Sequence, residues 1–165
     1  MNIPPFGENT ECDVRDLIIH QITSYGYFKR LDIVVKYMAI ENLRGDSSFG
    51  CELHDKLYSR LFSKKSARDH MKRLKKILEL IDSGKFEMKK HPLSLSTRLN
   101  IWDGAHRIAC AIYFDRPIIN FKRIRREFKR DSDMGANRLK KVFSQEEMLL
   151  IEQKKEELFK KLKID

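Results

Sequence analysis

Apolar residues recur at helical spacing through the first eighty positions, give way to short strand-like runs, and return to helical spacing at the end. Val14, Leu17, Ile18, Gln21 and Ile22 share one face of a first helix over Asp13 to Phe28, with Asp13 as its N-cap. Leu31, Val34, Val35, Met38 and Asn42 mark a second helix, stopped by the Arg44–Gly50 turn. Leu53, Leu57, Tyr58 and Leu61 mark a short third. From Ser66, a stripe of Met71, Leu74, Ile77, Leu78 and Ile81 opposes a face of Lys and Arg and ends at Gly84.

The period then changes. His91–Ser96 alternates apolar with polar, and Leu99–Trp102 forms a second short run after a polar turn at Thr97 and Arg98, so the two predict a hairpin. A helix from about Ala105 to Phe114 places Ile108, Ala109, Ala111 and Ile112 inward. Arg116-Pro117 and the strand IINFKRI follow. Arg130–Asn137 is polar and reads as a mobile linker. Ser144 and Glu147 form a capping box for a last helix, with Glu156/Lys160 and Glu157/Lys161 as i, i+4 pairs. The pattern predicts an α+β fold in one domain: a helical N-terminal extension (1–65), an α/β core (66–128), and a polar linker with a C-terminal helix (129–165). No repeat or low-complexity tract is present.

Composition narrows the class. At 165 residues with 41% hydrophobic content, including 10 Phe and 5 Tyr, the chain can bury one ordinary core. No apolar run approaches the roughly 20 residues of a membrane span, and the first residues lack the pattern of an export signal. Cys12, Cys51 and Cys110 are widely spaced, which suits cytoplasmic thiols rather than a disulfide framework or a zinc site. The net charge of +10 favours a polyanionic partner: a nucleotide, a nucleic acid or an anionic membrane surface. Phe121–Arg130 is the densest basic cluster. Its Lys122, Arg123, Arg125, Arg126, Lys129 and Arg130 could track a nucleic-acid backbone or simply form a solvated face.

The chemistry concentrates where strand turns into helix, at Asp103-Gly104-Ala105-His106-Arg107. Asp103 stands where an N-cap would, and Gly104 permits a sharp turn. His106 and Arg107 add two donors to a helix N-terminus, which suits a phosphate. Asp103 could then ligate a metal or act as a base for a hydroxyl.

The helix from Ser66 to Gly84 followed by HPLSLSTRLNIWDGAHRIACAIYFDRPIINFKRI resembles the ParB/sulfiredoxin superfamily over about residues 66 to 124. The resemblance implies a ParB/sulfiredoxin-like α/β core whose Gly-x-His-Arg or Gly-x-Arg-Arg motif holds nucleotide phosphates. Gly104, Ala105, His106 and Arg107 would inherit that role. Sulfiredoxins carry a Cys where this chain has Ala105. Segregation-type ParB proteins carry Gly-Glu-Arg-Arg and a following helix-turn-helix domain. The free-serine kinases of this fold carry Asp-Gly-His-His-Arg, which Asp103, Gly104, His106 and Arg107 match at four of five positions. That branch implies Asp103 and His106 at the catalytic centre, ATP or ADP with Mg²⁺, and an upstream acid, for which Glu52 and Asp69 are the candidates. The N-terminal part resembles the leader of ParB-like proteins found with surface-polysaccharide enzymes, which adds Arg60 as an anion ligand and a sugar or polyol as acceptor. The implied function is phosphoryl transfer from a nucleotide to a small hydroxyl compound. A nucleotide- or nucleic-acid-binding module without turnover is the alternative, and a scaffold with a decayed motif is the third reading.

Overall fold

A computed structural model describes residues 1–127 and 133–165 of the chain. The elements run β1 (Asn9–Asp13), α1 (Val14–Tyr25), α2 (Leu31–Leu43), α3 (Cys51–Leu61), α4 (Lys64–Asp82), β2 (Leu93–Leu95), β3 (Ile101–Asp103), α5 (Ala105–Tyr113), β4 (Ile118–Arg123), α6 (Ala136–Leu139) and α7 (Gln145–Lys161). The fold is α+β, as the periodicity predicts. Among the described residues no helix is long and apolar enough to cross a membrane.

The four strands form one mixed sheet in the order β1-β4-β2-β3. β2 and β3 make the predicted antiparallel hairpin, β2 runs parallel to β4, and β1 runs antiparallel to β4 with Asn9 opposite Lys122 and Asp13 opposite Ile118. The hairpin closes through the Ser96 N–H on the Asn100 carbonyl, with Leu99 at φ +61. That left-handed conformation is costly for a branched side chain. Leu99 is fully buried, and its carbonyl accepts a 2.8 Å hydrogen bond from the buried Gln21 amide.

Two expectations about the N-terminal region change. Residues 1–65 are not wholly helical, because β1 completes the sheet edge. Its sequence, NTECD, is polar, and pairing with β4 rather than local propensity makes it a strand. α2 is not one-faced either: Leu31 to Ile40 are all buried, because α3, α5 and α7 surround the helix. The Asp13 cap is present, accepting the Arg15 N–H at 2.7 Å, and α1 ends earlier than predicted, at Gly26 in the left-handed region.

The C-terminal region packs back on α2. Met148, Ile151 and Leu158 are buried, and Lys56–Glu147 and Lys154–Glu41 pairs tie α7 to α3 and α2. The capping box forms as predicted. The i, i+4 pairs do not: Lys154 takes Glu157 and Lys161 reaches Asp115. Of the predicted mobile linker, residues 130–132 lie outside the described residues. Asp133 to Asn137 are anchored, since Met134 exchanges backbone hydrogen bonds with Lys29 and Leu31, and Asp133 accepts from the Tyr27 hydroxyl and the Gly135 N–H.

Gly50 starts α3 at φ +149, with its α-carbon against the Met38 carbonyl of α2. A β-carbon there would collide with that backbone oxygen. Gly50→Ala is therefore expected to destabilise the fold by on the order of 3 kcal/mol, read as a lower urea midpoint with an unchanged m-value.

Candidate functional site

Gly104 joins β3 to α5 at φ +113, and a β-carbon there would run into the Leu93 side chain of β2. Only glycine brings the strand into the helix this closely. The expected Asp103 cap is absent, because Gly104 itself takes the N-cap position and no side chain caps the helix. Asp103 closes β3 opposite Ser94, and its carboxylate, 72% exposed, turns to Arg107 Nη2 at 3.0 Å. The first backbone bond within the helix runs from Ile108 N–H to the Gly104 carbonyl, so the N–H groups of the first turn precede it. Arg107 also donates through Nη1 to the carbonyls of His91 and Pro92, at 2.7 and 2.8 Å, which fixes the chain entering β2.

This turn opens into a cleft of about 700 Å³ between α4 and the β3–α5 junction. Its floor is an ionic chain that entered no sequence expectation. Arg30 holds Asp32 in a fork, through Nε at 2.8 Å and Nη2 at 2.7 Å, and sends Nη1 to the Ile101 carbonyl at 2.6 Å. Lys36, one turn further along α2, donates to Asp32 at 2.8 Å and to the Tyr58 hydroxyl. All three charged groups are buried. Burial alone would raise the Asp32 carboxyl, but Arg30 and Lys36 hold it far below the usual carboxylate range. Burial alone would lower Lys36, and Asp32 outweighs it.

Three histidines from three helices meet beside this ionic chain; His70 and His106 line the cleft, and His54 is fully buried against them. His54 and His106 approach to 3.4 Å between Nε2 atoms, and His70 stacks on the Tyr58 ring at 3.8 Å between centroids. His54 Nδ1 and His70 Nδ1 are buried without a hydrogen-bond partner among the described residues. Burial, and next the charge of Lys36, lower His54 to about 3 and His70 to about 4, and the same causes put His106 well below its ordinary value. Among the described residues no three His, Cys, Asp or Glu side chains are arranged to hold a metal ion.

Of the residues singled out in the sequence, Asp103, Gly104, Ala105, His106 and Arg107 all line the cleft. Glu52, Asp69 and Arg60 do not. Glu52 accepts the Gly50 N–H at the start of α3, Asp69 faces a separate groove between α3 and α4, and Arg60 is exposed in the last turn of α3. The carboxylate that α2 brings to the cleft is Asp32. In the basic stripe, Arg123 and Arg125 lie over the Phe6 ring, Arg126 lies over Trp102, and Lys122 is exposed. Lys129 and Arg130 lie outside the described residues. Sequence reasoning missed Arg30, Asp32, Lys36, His54, Tyr58 and His70. The signal was Asp32 and Lys36 at i, i+4 inside an otherwise apolar run, LDIVVKYMAI.

The histidines set a pH dependence. Lys36 and Asp32 from α2, Tyr58 from α3, and Asp69 and Arg73 from α4 surround them. Their folded-state values lie below the unfolded value of about 6.5, so between about 3 and 6.5 the unfolded chain binds more protons. Stability is full above that window and is expected to fall as pH drops through it, with a slope of up to ~1.4 kcal/mol per pH unit for each histidine. Urea unfolding at stepped pH, with the His54, His70 and His106 ring resonances of the folded protein still neutral at pH 6, checks this. No family model, curated protein or solved structure matches the chain, so the chemistry of the cleft rests on its own residues.

Proposed function

We propose that the cleft binds a nucleotide through its phosphates and transfers a phosphoryl group to a small hydroxyl compound. One observation carries this reading: an uncapped helix N-terminus opens into a cleft lined by Arg30, Lys36, Arg73, Lys76 and Arg107 against two carboxylates, Asp32 and Asp103. Backbone N–H groups, the helix dipole and excess positive charge together favour a phosphate. Trp102, Phe62 and Phe86 add aromatic surface for the remainder of the ligand. The motif's resemblance to the ParB/sulfiredoxin superfamily, and to its free-serine kinases above all, supports the same assignment.

In this reading the first turn of α5 and Arg107 hold the donor phosphates, and His106, kept neutral, donates or accepts a hydrogen bond without adding charge. Asp103 orients the acceptor hydroxyl or takes its proton as the new oxygen–phosphorus bond forms and the bond from that phosphorus to the donor's bridging oxygen breaks, releasing the nucleotide one phosphate shorter. Mg²⁺ fits as an ion carried by the phosphates, with Asp103 as its one protein carboxylate, since Asp32 is already engaged by Arg30 and Lys36. When bound, the ion would offset phosphate charge. Positioning and electrostatic stabilisation carry phosphoryl transfer. An amino acid, sugar or polyol serves as acceptor, and cell-surface polysaccharide synthesis is the setting the N-terminal resemblance suggests.

A second reading, nucleotide binding without turnover, draws on the ion pair that already occupies the Asp103 carboxylate.

A thermal-shift panel of ATP, ADP, CTP and GTP with Mg²⁺ is expected to find a stabilising nucleotide, as mass action requires of a native-state ligand. Arg107→Ala should abolish that response, while Arg60→Ala, outside the cleft, should leave it intact. A response unchanged in Arg107→Ala would remove the phosphate assignment.

Asp103→Asn separates the two readings. The pair it breaks is largely exposed, so stability should change by less than ~1 kcal/mol and nucleotide binding should persist. Transfer, followed by phosphorus NMR, should fall by on the order of a hundredfold. Undiminished transfer would leave Asp103 no chemical role, and absence of transfer by the parent protein with every hydroxyl acceptor would favour binding alone.

A further inference from the structure

We propose that the floor of the cleft, around Arg30 and Lys36, is a second oxyanion site, and that the acceptor carries a carboxylate or phosphate group that binds there. The inference rests on the reading that the donor phosphates lie at the first turn of α5.

The charges of the floor do not balance. Two buried cations share one buried carboxylate, and an unmatched charge away from water is costly unless something pairs with it. The donors do not balance either. Arg30 offers five N–H groups and uses three, on Asp32 and Ile101; Lys36 offers three and uses two, on Asp32 and Tyr58. One ammonium and two guanidinium N–H groups have no partner among the described residues, on side chains that line the cleft. The other cleft carboxylate, Asp103, attracts Arg30 through space but makes no hydrogen bond to it, being paired with Arg107 and mostly in solvent. The helix wall adds Arg73 and Lys76 and no acid that lines the cleft. His54, His70 and His106 agree, since the positive charge of Lys36 helps to keep all three neutral.

The two anion positions are carried by different elements. Arg30 and Lys36 stand on α2 and its approach, bound to β3 at Ile101, whereas the turn site begins two residues later at Asp103 and runs into α5. A cleft of about 700 Å³ has room for a donor and a small acceptor together. An anionic group at the floor would hold the acceptor by its far end and leave its hydroxyl toward Asp103. Fork-shaped guanidinium donors suit a planar carboxylate as well as a phosphate, so the two sources share one chemistry.

The test uses inorganic phosphate and acetate as probes of the whole chain. Millimolar phosphate is expected to raise the melting temperature of the wild type and of Arg107→Ala, and the apparent Kd should weaken at least about tenfold in Lys36→Met. A response to acetate as well identifies a carboxylate, and a response to phosphate alone identifies a phosphate group. Because Lys36→Met removes a buried charge and could unfold the chain, ring resonances provide a second readout in the unaltered protein. Those of His70 and His106 should move on phosphate addition, and that of His20, on α1 outside the cleft, should not. No phosphate response in the wild type, a response lost in Arg107→Ala but kept in Lys36→Met, or tyrosinate absorbance from Tyr58 at neutral pH would each overturn the proposal, the last because the missing negative charge would then come from within. Failure of every nucleotide to bind, with the phosphate response intact, would count against the donor assignment and leave the floor site standing.

Discussion

Asp32, held between Arg30 and Lys36, is the contact on which the arrangement of the cleft depends. Each partner reaches a different part of the fold: Arg30 the backbone of β3, and Lys36 the hydroxyl of Tyr58 on α3. The carboxylate therefore fixes α2, α3 and the sheet against one another, with directional bonds that apolar packing alone would not provide. Removing three charges from water costs several kcal/mol for each ion, and the return is best when geometry is forked and every bond is short. Such a cluster is weak support for stability. Its place beside the α5 turn is why it reads as functional.

Around that cluster, shape is set by small backbone requirements. Gly104 lets β3 reach α5 past Leu93, Gly50 lets α3 start against α2, and Leu99 accepts a left-handed conformation that its burial and Gln21 hold in place. The first turn of α5 stays open as a result. A helix capped by its own Asp103 would have satisfied an N–H group that a ligand could otherwise use, so the Asp103–Arg107 pair keeps the helix end available while holding a carboxylate beside it.

Much of this was legible from the order of residues. The α4 stripe, the β2–β3 hairpin, α5, the capping box of α7 and the Asp13 cap follow local rules of period and end chemistry, and the structure reproduces them. So does the turn from β3 into α5, because Gly between a strand and a helix is a backbone constraint visible in sequence. The remainder depended on residues distant along the chain. NTECD has no local preference that would make it a strand, and Asp133–Met134 are held by Tyr27, Lys29 and Leu31. Arg30, Asp32 and Lys36 were hidden because charge inside an apolar helix reads as its exposed face, until neighbouring helices cover every side. Asp103 was misplaced as a cap because two local rules competed for it, and the ion pair with Arg107 prevailed.

The pairing of β1 with β4 also orders assembly in time. The Asn120 amide meets the Asn9 side chain 111 residues earlier in the chain, and β1 pairs with β4 along its whole length. The α2–α3 and α3–α4 contacts join neighbours in sequence and can form as the helices leave the ribosome, whereas α2 must wait for α5 and α7, and β1 for β4, to be synthesised. Contacts of such long range carry the largest loop-closure cost, so the sheet closes late, over a helical layer already in place. The edge that β1 covers is the flank of β4, and until it docks, a nascent chain presents that edge to its neighbours as a site for intermolecular strand pairing.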